Sequence, residues 1–290
     1  MKIFSKRYLM IMLTVLLVFF YQLGLFAYTT SPETKMIELE EIESLILNVK
    51  FGIGELNLGC GESDVFVGNF LYGNGLLNPQ INYHVLEKKG MLDLSQSINK
   101  DVNLFFSVQN VWDLELPANI PLKINLNTAT YKGNIDLTNL AVEDLSLISG
   151  ASRTIISCNQ INQACLKKIT LKTGASTLTM EGLANLNFDN MYFDGGAGLY
   201  IFDFSGYLRK KSKIKINVGA SKVILKIPTD LSAKIKLPKI LTLNADLEDF
   251  IEVNDQIFVT HIYGKREEDL DIEINGAFLN VEMLATKPKN

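Results

Sequence analysis

The sequence predicts an all-β fold: a solenoid-like stack of short strands in coils of about 23 residues, preceded by one N-terminal hydrophobic helix. Three observations predict it. Segments opening "LKINLNT", "LSLISGAS", "ITLKTGAS", "MYFDGGAG" and "IKINVGAS" begin at Leu122, Leu145, Ile169, Met191 and Ile214, spaced by 22 to 24 residues. Apolar and polar residues alternate within them, as Ile169 and Leu171, then Leu178 and Met180 show, which is the period of strands with one buried face. Asn139, Asn162 and Asn185 recur at the same interval. A meander of hairpins would share the alternation, but hairpins need neither a near-constant unit length nor an asparagine in register, so the stack is the better account.

The N-terminus comes first. Lys2, Lys6 and Arg7 precede an uncharged run from Tyr8 to Ala27, after which the chain turns polar. This is the pattern of an export signal. Residues 1–34 read either as a signal peptide cut after Ala27 or as a signal anchor. A run of about 20 residues spans roughly 30 Å as a helix, a full hydrocarbon core, and bulky Leu25 and Tyr28 make a poor cleavage site. In both cases the rest of the chain is expected outside the cytoplasm, held at the membrane by residues 8–27 or secreted.

Residues 35–121 read as an N-terminal β subdomain. It holds a weaker copy of the unit, "LNVKFGIGELNL" with Gly52, followed by a stretch from residue 60 without a readable register. Pro117 and Pro121 in "NVWDLELPANIPL" mark a seam. Residues 122–290 read as the repeat subdomain, ending in the copy "DIEINGAFLNVEML" with Gly276. Gly52, Gly150, Gly174, Gly196, Gly219 and Gly276 are expected as corners, where glycine allows backbone freedom and close approach. In "MYFDGGAGLYIFDFSGYL" the glycines 195, 196 and 198 raise the alternative of a phosphate loop. That loop requires a helix after it, whereas "LYIFDFSG" continues as strand. Asn139, Asn162 and Asn185 are expected as a ladder of amides bonded along the stack.

The formal charge of −4 falls further once the three N-terminal cations are set aside, which excludes a general nucleic-acid binder. Cys60, Cys158 and Cys165 are too few for a disulfide framework; at most Cys158 and Cys165 pair, and buried free thiols are the plainer reading. His84 and His261 stand near no metal-ligand pattern, and Ser149, Ser176 and Ser205 have no histidine partner. No catalytic, cofactor-binding or metal-binding residue is therefore assigned. Asp189, Asp194 and Asp203, beside Tyr192, Tyr200 and Tyr207, offer the one enzymatic alternative. Asp194 and Asp203 would cleave a glycan if their carboxyls stood roughly 5 to 9.5 Å apart, against the default of turn aspartates. The tyrosines among Phe188, Tyr192, Phe193, Tyr200, Phe202 and Phe204 would form a sugar-stacking strip if they faced outward, with the phenylalanines in the core. Arg209, Lys210, Lys211 and Lys213, followed by further lysines to Lys239, are candidate contacts to an anionic partner. The competing reading is a solvated, aggregation-resistant face.

Taken together, "FGIGELNLGCGESDVFVGNFLYGNGLLNPQINY", "DLTNLAVEDLSLISGAS", "MEGLANLNFDNMYFDGGAGLYIFDFSG" and "VGASKVILKIPTDLSAKI" resemble the bacterial toast-rack family. They are also similar to the extracytoplasmic domain of LiaF-like cell-wall-active antibiotics response proteins. The resemblance runs from about residue 36 to 284 and is most specific in "GLANLNF...GGAG...DFSG". It implies a right-handed stack outside the membrane and no catalytic residue. The chain departs from LiaF-like proteins in having one hydrophobic segment where they have several transmembrane helices. The expectation is a non-enzymatic interaction or sensing module of the cell envelope. Its expected partners are the membrane, through an uncleaved N-terminus, and an envelope protein or anionic cell-wall polymer. The alternatives are a carbohydrate-active enzyme and a structural or adhesive secreted protein.

Overall fold

A computed structural model of the chain describes residues 30–288 apart from residues 40, 63, 74–76, 99–108, 239–241 and 246–248. The expected hydrophobic helix at 8–27 lies outside the described residues. No described helix is long and apolar enough to cross a membrane.

One end of the molecule is built from β1 (Thr30–Glu38), β2 (Ser44–Cys60), β3 (Val65–Gly73), β4 (Leu77–Leu86), β5 (Lys89–Ile98) and β6 (Asn110–Leu116). The body follows as β7 (Leu122–Asp136), β8 (Val142–Ser157), β9 (Leu166–Thr173), β10 (Ser176–Glu181), β11 (Phe188–Gly195), β12 (Gly198–Asp203) and β13 (Ser212–Pro228). The far end holds β14 (Ala233–Lys236), β15 (Thr242–Ala245), β16 (Phe250–Asn254), β17 (Ile257–Thr260) and β18 (Leu270–Thr286).

Each coil of the body runs one strand, bends, runs a second and returns through a turn. The first strands stack in parallel in the order β2, β7, β8, β9, β11, β13, β18. The second strands stack as β2, β7, β8, β10, β12, β13, β18. β2, β7, β8, β13 and β18 serve both sheets because they pass the corner unbroken. The turns make a third side. Antiparallel pairs close the ends: β4 on β5 and β1 on β3 at one, β17 on β14 and on β16 at the other.

Stacking in register puts like residues over like. Leu47, Ile124, Leu145, Ile169, Met191, Ile214 and Ile272 form one inward column, all buried. Burying such branched side chains supplies roughly 1.5–3 kcal/mol each, so register is strongly specified. The column also corrects the sequence register at two places. The first body coil is aligned on Ile124, two residues beyond Leu122. The last is aligned on Ile272, so Gly276 faces Val218 and Ala277 stands beside Gly219. The pairing of β2 with β7 carries the stack across residue 121, and the hydrophobic core is continuous there.

The corner row reads Ala129, Gly150, Gly174, Gly196, Gly219, with Gly52 opposite Ala129. Left-handed φ is found instead at Gly54, Gly182, Gly206 and Gly264. The row's glycines therefore act by closeness alone. A Cβ on Gly174 would stand 2.7 Å from the Gly150 carbonyl oxygen, and one on Gly196 would stand 2.6 Å from that of Gly174. Gly196→Ala is expected to cost about 1–3 kcal/mol through this overpacking, read as a lowered urea midpoint; an unchanged midpoint would refute the close-approach role.

Candidate binding surfaces

Glycines 195, 196 and 198 lie where β11 bends into β12, with strand on both sides. The same bend separates Asp194 from Asp203. They belong to one coil, and Asp194 pairs in register with Lys172 and Asn217 while Asp203 pairs with Lys226. They do not face each other from neighbouring coils, as the enzymatic alternative required. Asp194 instead begins an outward amide ladder. Asn217 Nδ2 donates to its Oδ1 at 2.8 Å, and Asn275 Nδ2 donates to Asn217 Oδ1 at 3.2 Å. The same device recurs near the other end, where Asn125 donates to Asn48 at 2.9 Å and Asn48 donates to Asp93 at 2.8 Å. Asp203 Oδ1 accepts the Ser205 N–H at 2.9 Å, a turn role, and Asp189 pairs with Lys210 at 2.6 Å. Among the described residues no group of three or more His, Cys, Asp or Glu could hold a metal ion. The tyrosines form no strip. Tyr200 is core, edge-on to Phe193 at 4.7 Å, while Tyr192 is 43% exposed with Lys168 Nζ 5.7 Å from its ring centre.

The third side places the expected asparagines differently from a side-chain ladder. Asn139 is exposed with φ 65° and caps a turn. Asn162 and Asn185 are buried, and their amides bond to backbone of neighbouring turns. Asn162 Oδ1 accepts the Val142 N–H at 3.0 Å and its Nδ2 donates to the Val142 carbonyl at 2.8 Å. Asn185 Nδ2 donates to the Cys158 carbonyl at 2.9 Å, while its Oδ1 accepts the Tyr207 N–H at 3.0 Å. Asn187, which the repeat did not single out, does the same for Tyr207 and Arg209. Bonding to backbone satisfies groups that a turn buried under its neighbours would otherwise leave bare. All three cysteines are free. Cys158 is buried, which pushes its thiol up to about 12, whereas Cys165 is exposed, against the expectation of buried thiols. Between the turns lies a hollow of about 410 Å3 whose walls include Gln160, Tyr207 and Arg209.

Arg209, Lys210, Lys211 and Lys213 are not brought together. Arg209 edges the hollow and Lys210 is tied to Asp189, while Lys213 enters β13 and lines a groove of about 330 Å3. That groove crosses the outward faces of β11, β13, β18 and β14. Register aligns Asn190, Lys213, Asp271 and Lys234 in one row and Tyr192, Lys215, Glu273 and Lys236 in the next. Lys234 bonds Asp271 at 2.8 Å and Lys236 bonds Glu273 at 3.3 Å. The hydrogen bond it donates to Asp271 holds the Lys234 ammonium above its usual pKa. Lys213 and Lys215 make no ion pair with a described residue. The alternation in "SKIKIN" and "AKIK" puts these lysines outward, and the cross-strand register shows which acids they meet.

Residues 27–164 match the family model described as the N-terminal domain of toast_rack, DUF2154. No curated protein matches the chain. Among solved structures it is similar to a "putative cell adhesion protein" from Clostridium sporogenes, with 22% identity, covering 89% of this chain and 100% of that one, at a TM-score of 0.48. A "putative adhesin" from Bacteroides fragilis is 10% identical, with 89% and 99% covered and a TM-score of 0.32. A "Putative lipid binding protein" from Parabacteroides distasonis is 9% identical, with 88% and 97% covered and a TM-score of 0.34.

Proposed function

We propose, from the premise that residues 27–164 are a toast-rack N-terminal domain, that this chain is a non-enzymatic module of the cell envelope. It works outside the cytoplasm, exported by its N-terminal segment and either anchored there by residues 8–27 or released. It docks an anionic envelope polymer and so serves interaction or sensing at the wall. The observation that carries the reading is the groove around Lys213 and Lys215, two cations without ion-pair partners among the described residues, on a chain of formal charge −4. Lys168, over Tyr192, and Lys172 extend the same face toward β9. Strands about 4.8 Å apart, with alternate residues about 6.8 Å apart along each strand, present these charges as a regular grid. A polymer with repeated phosphates meets several of them at once, and each contact is weak but additive. The non-enzymatic part is supported by the separate engagements of Asp194 and Asp203.

The test is binding of the full chain to poly(glycerol phosphate) against a Lys213→Glu, Lys215→Glu double variant. The wild type is expected to bind with an affinity that falls steeply between 50 and 300 mM salt, about the range over which exposed charges become screened. The variant is expected to bind roughly ten-fold more weakly or worse. Equal binding by both proteins would refute the groove as the contact.

A further inference from the structure

We infer that the hollow on the turn side is a second, independent binding site, built for an uncharged sugar unit of a glycan. Its shape follows from unequal turns. The turns at 158–165 and 204–211 are long, while between them the chain crosses in the short 3-10 helix Leu183–Leu186. The middle turn is therefore recessed and its neighbours form the walls. Gly182 and Gly206 pack this floor without gaps. With φ of 72° and 114°, each sits where a Cβ would collide, with the Cys158 carbonyl oxygen and the Asn185 side chain respectively. Asn185 then bridges the flanking turns, so the floor is fixed before any ligand arrives.

The groups left over define the ligand. Ser205 is 4% exposed and lines the hollow, and its hydroxyl has no hydrogen-bond partner among the described residues. The side-chain amides of Asn159 and Gln160 line it too and make no hydrogen bond with a described residue. Tyr207, 56% exposed, offers an aromatic face at the wall. Arg209 is the one charged side chain among the lining residues, and no carboxylate joins it. An apolar ligand would leave the serine and both amides desolvated and unpaired, at a cost for each. A phosphate group would meet a single exposed cation. A pyranose matches what is present: hydroxyls that both donate and accept, as amides do, and a C–H face that stacks on tyrosine. The volume of about 410 Å3 lies within the usual range for small-ligand sites, roughly 300 to 1,000 Å3, and suits one or two rings.

The test is saturation-transfer NMR on the full chain in a sugar-free polyoxyethylene detergent, with N,N′-diacetylchitobiose and cellobiose as probes. At least one disaccharide is expected to bind saturably at millimolar concentration. Tyr207→Ala should weaken it at least ten-fold with an unchanged thermal melt, since the ring is largely exposed, and Tyr207→Phe should retain it. Ser205→Ala should weaken it several-fold. The Lys213→Glu, Lys215→Glu variant should bind the sugar as the wild type does, which separates this site from the lysine groove. Saturation by neither sugar, binding indifferent to Tyr207→Ala, or capture of a short uncharged acetyl-peptide amide in place of both sugars would overturn the inference.

Discussion

Truncating Trp112 to alanine is expected to cost about 3–5 kcal/mol and to melt the N-terminal coils before the body. Trp112 is fully buried on β6, edge-on to Phe51 at 5.0 Å and to Phe70 at 5.2 Å. β6 is pinned on both sides, parallel to β2 and antiparallel to β3, so the cavity left behind has little room to collapse. The indole N–H has no partner among the described residues, so the loss expected is one of packing. In a stack each coil touches only its neighbours, and destabilisation stays local. Hydrogen exchange should show protection lost in β2, β3 and β6 and kept in β11 to β13. A uniform loss, or none, would contradict the one-dimensional reading. The same residue is the chain's single tryptophan, so its fluorescence in the wild type should report melting of this end, while far-UV circular dichroism reports the whole.

The second large effect is expected at Asn185. Replacing it with alanine removes the donor to the Cys158 carbonyl and the acceptor for the Tyr207 N–H, across turns that belong to different coils. Each group left without a partner costs about 1–3 kcal/mol, so the variant should lose about 2–6 kcal/mol in urea unfolding. It should also bind the disaccharide less well, because the turn carrying Ser205 and Tyr207 loses its tether. Wild-type stability in Asn185→Ala would show that water takes over both bonds and that the turns hold themselves.

Much of this architecture was legible because the stack repeats its chemistry. The inward column of Leu, Ile and Met and the glycine row are visible as a period in the sequence. The misplacement at Gly276 has a simple cause: "NGAF" puts a glycine one residue ahead of Ala277, and only the pairing of Ile214 with Ile272 decides between them. The outward ladder from Asp194 was also within reach, since Asn217 follows Ile214 and Ile216 at an outward position. The recurrence at Asn139, Asn162 and Asn185 drew attention instead to the turn side, where buried amides serve backbone groups. The hollow was beyond sequence reasoning. It arises from a difference in length between adjacent turns, and its groups come from turns on separate coils, with no shared spacing to betray them.

The chain skips one level of the stack after β13: β14 and β15 pair in parallel with β18, and β18 in turn pairs with β13 along its whole length. Asn217 and Asn275 are bonded across a separation of 58 residues, where Asp194 and Asn217 need only 23. The entropy of closing a chain loop grows only with the logarithm of its length, so the longer separation adds about 0.8 kcal/mol to the ordering of β18. Its cost falls more heavily on time than on stability, because a distant partner must be found before β18 can dock. The last strand thus slides between two levels laid down before it, and the inward column stays in register because Ile272 lies between Ile214 and Ile235.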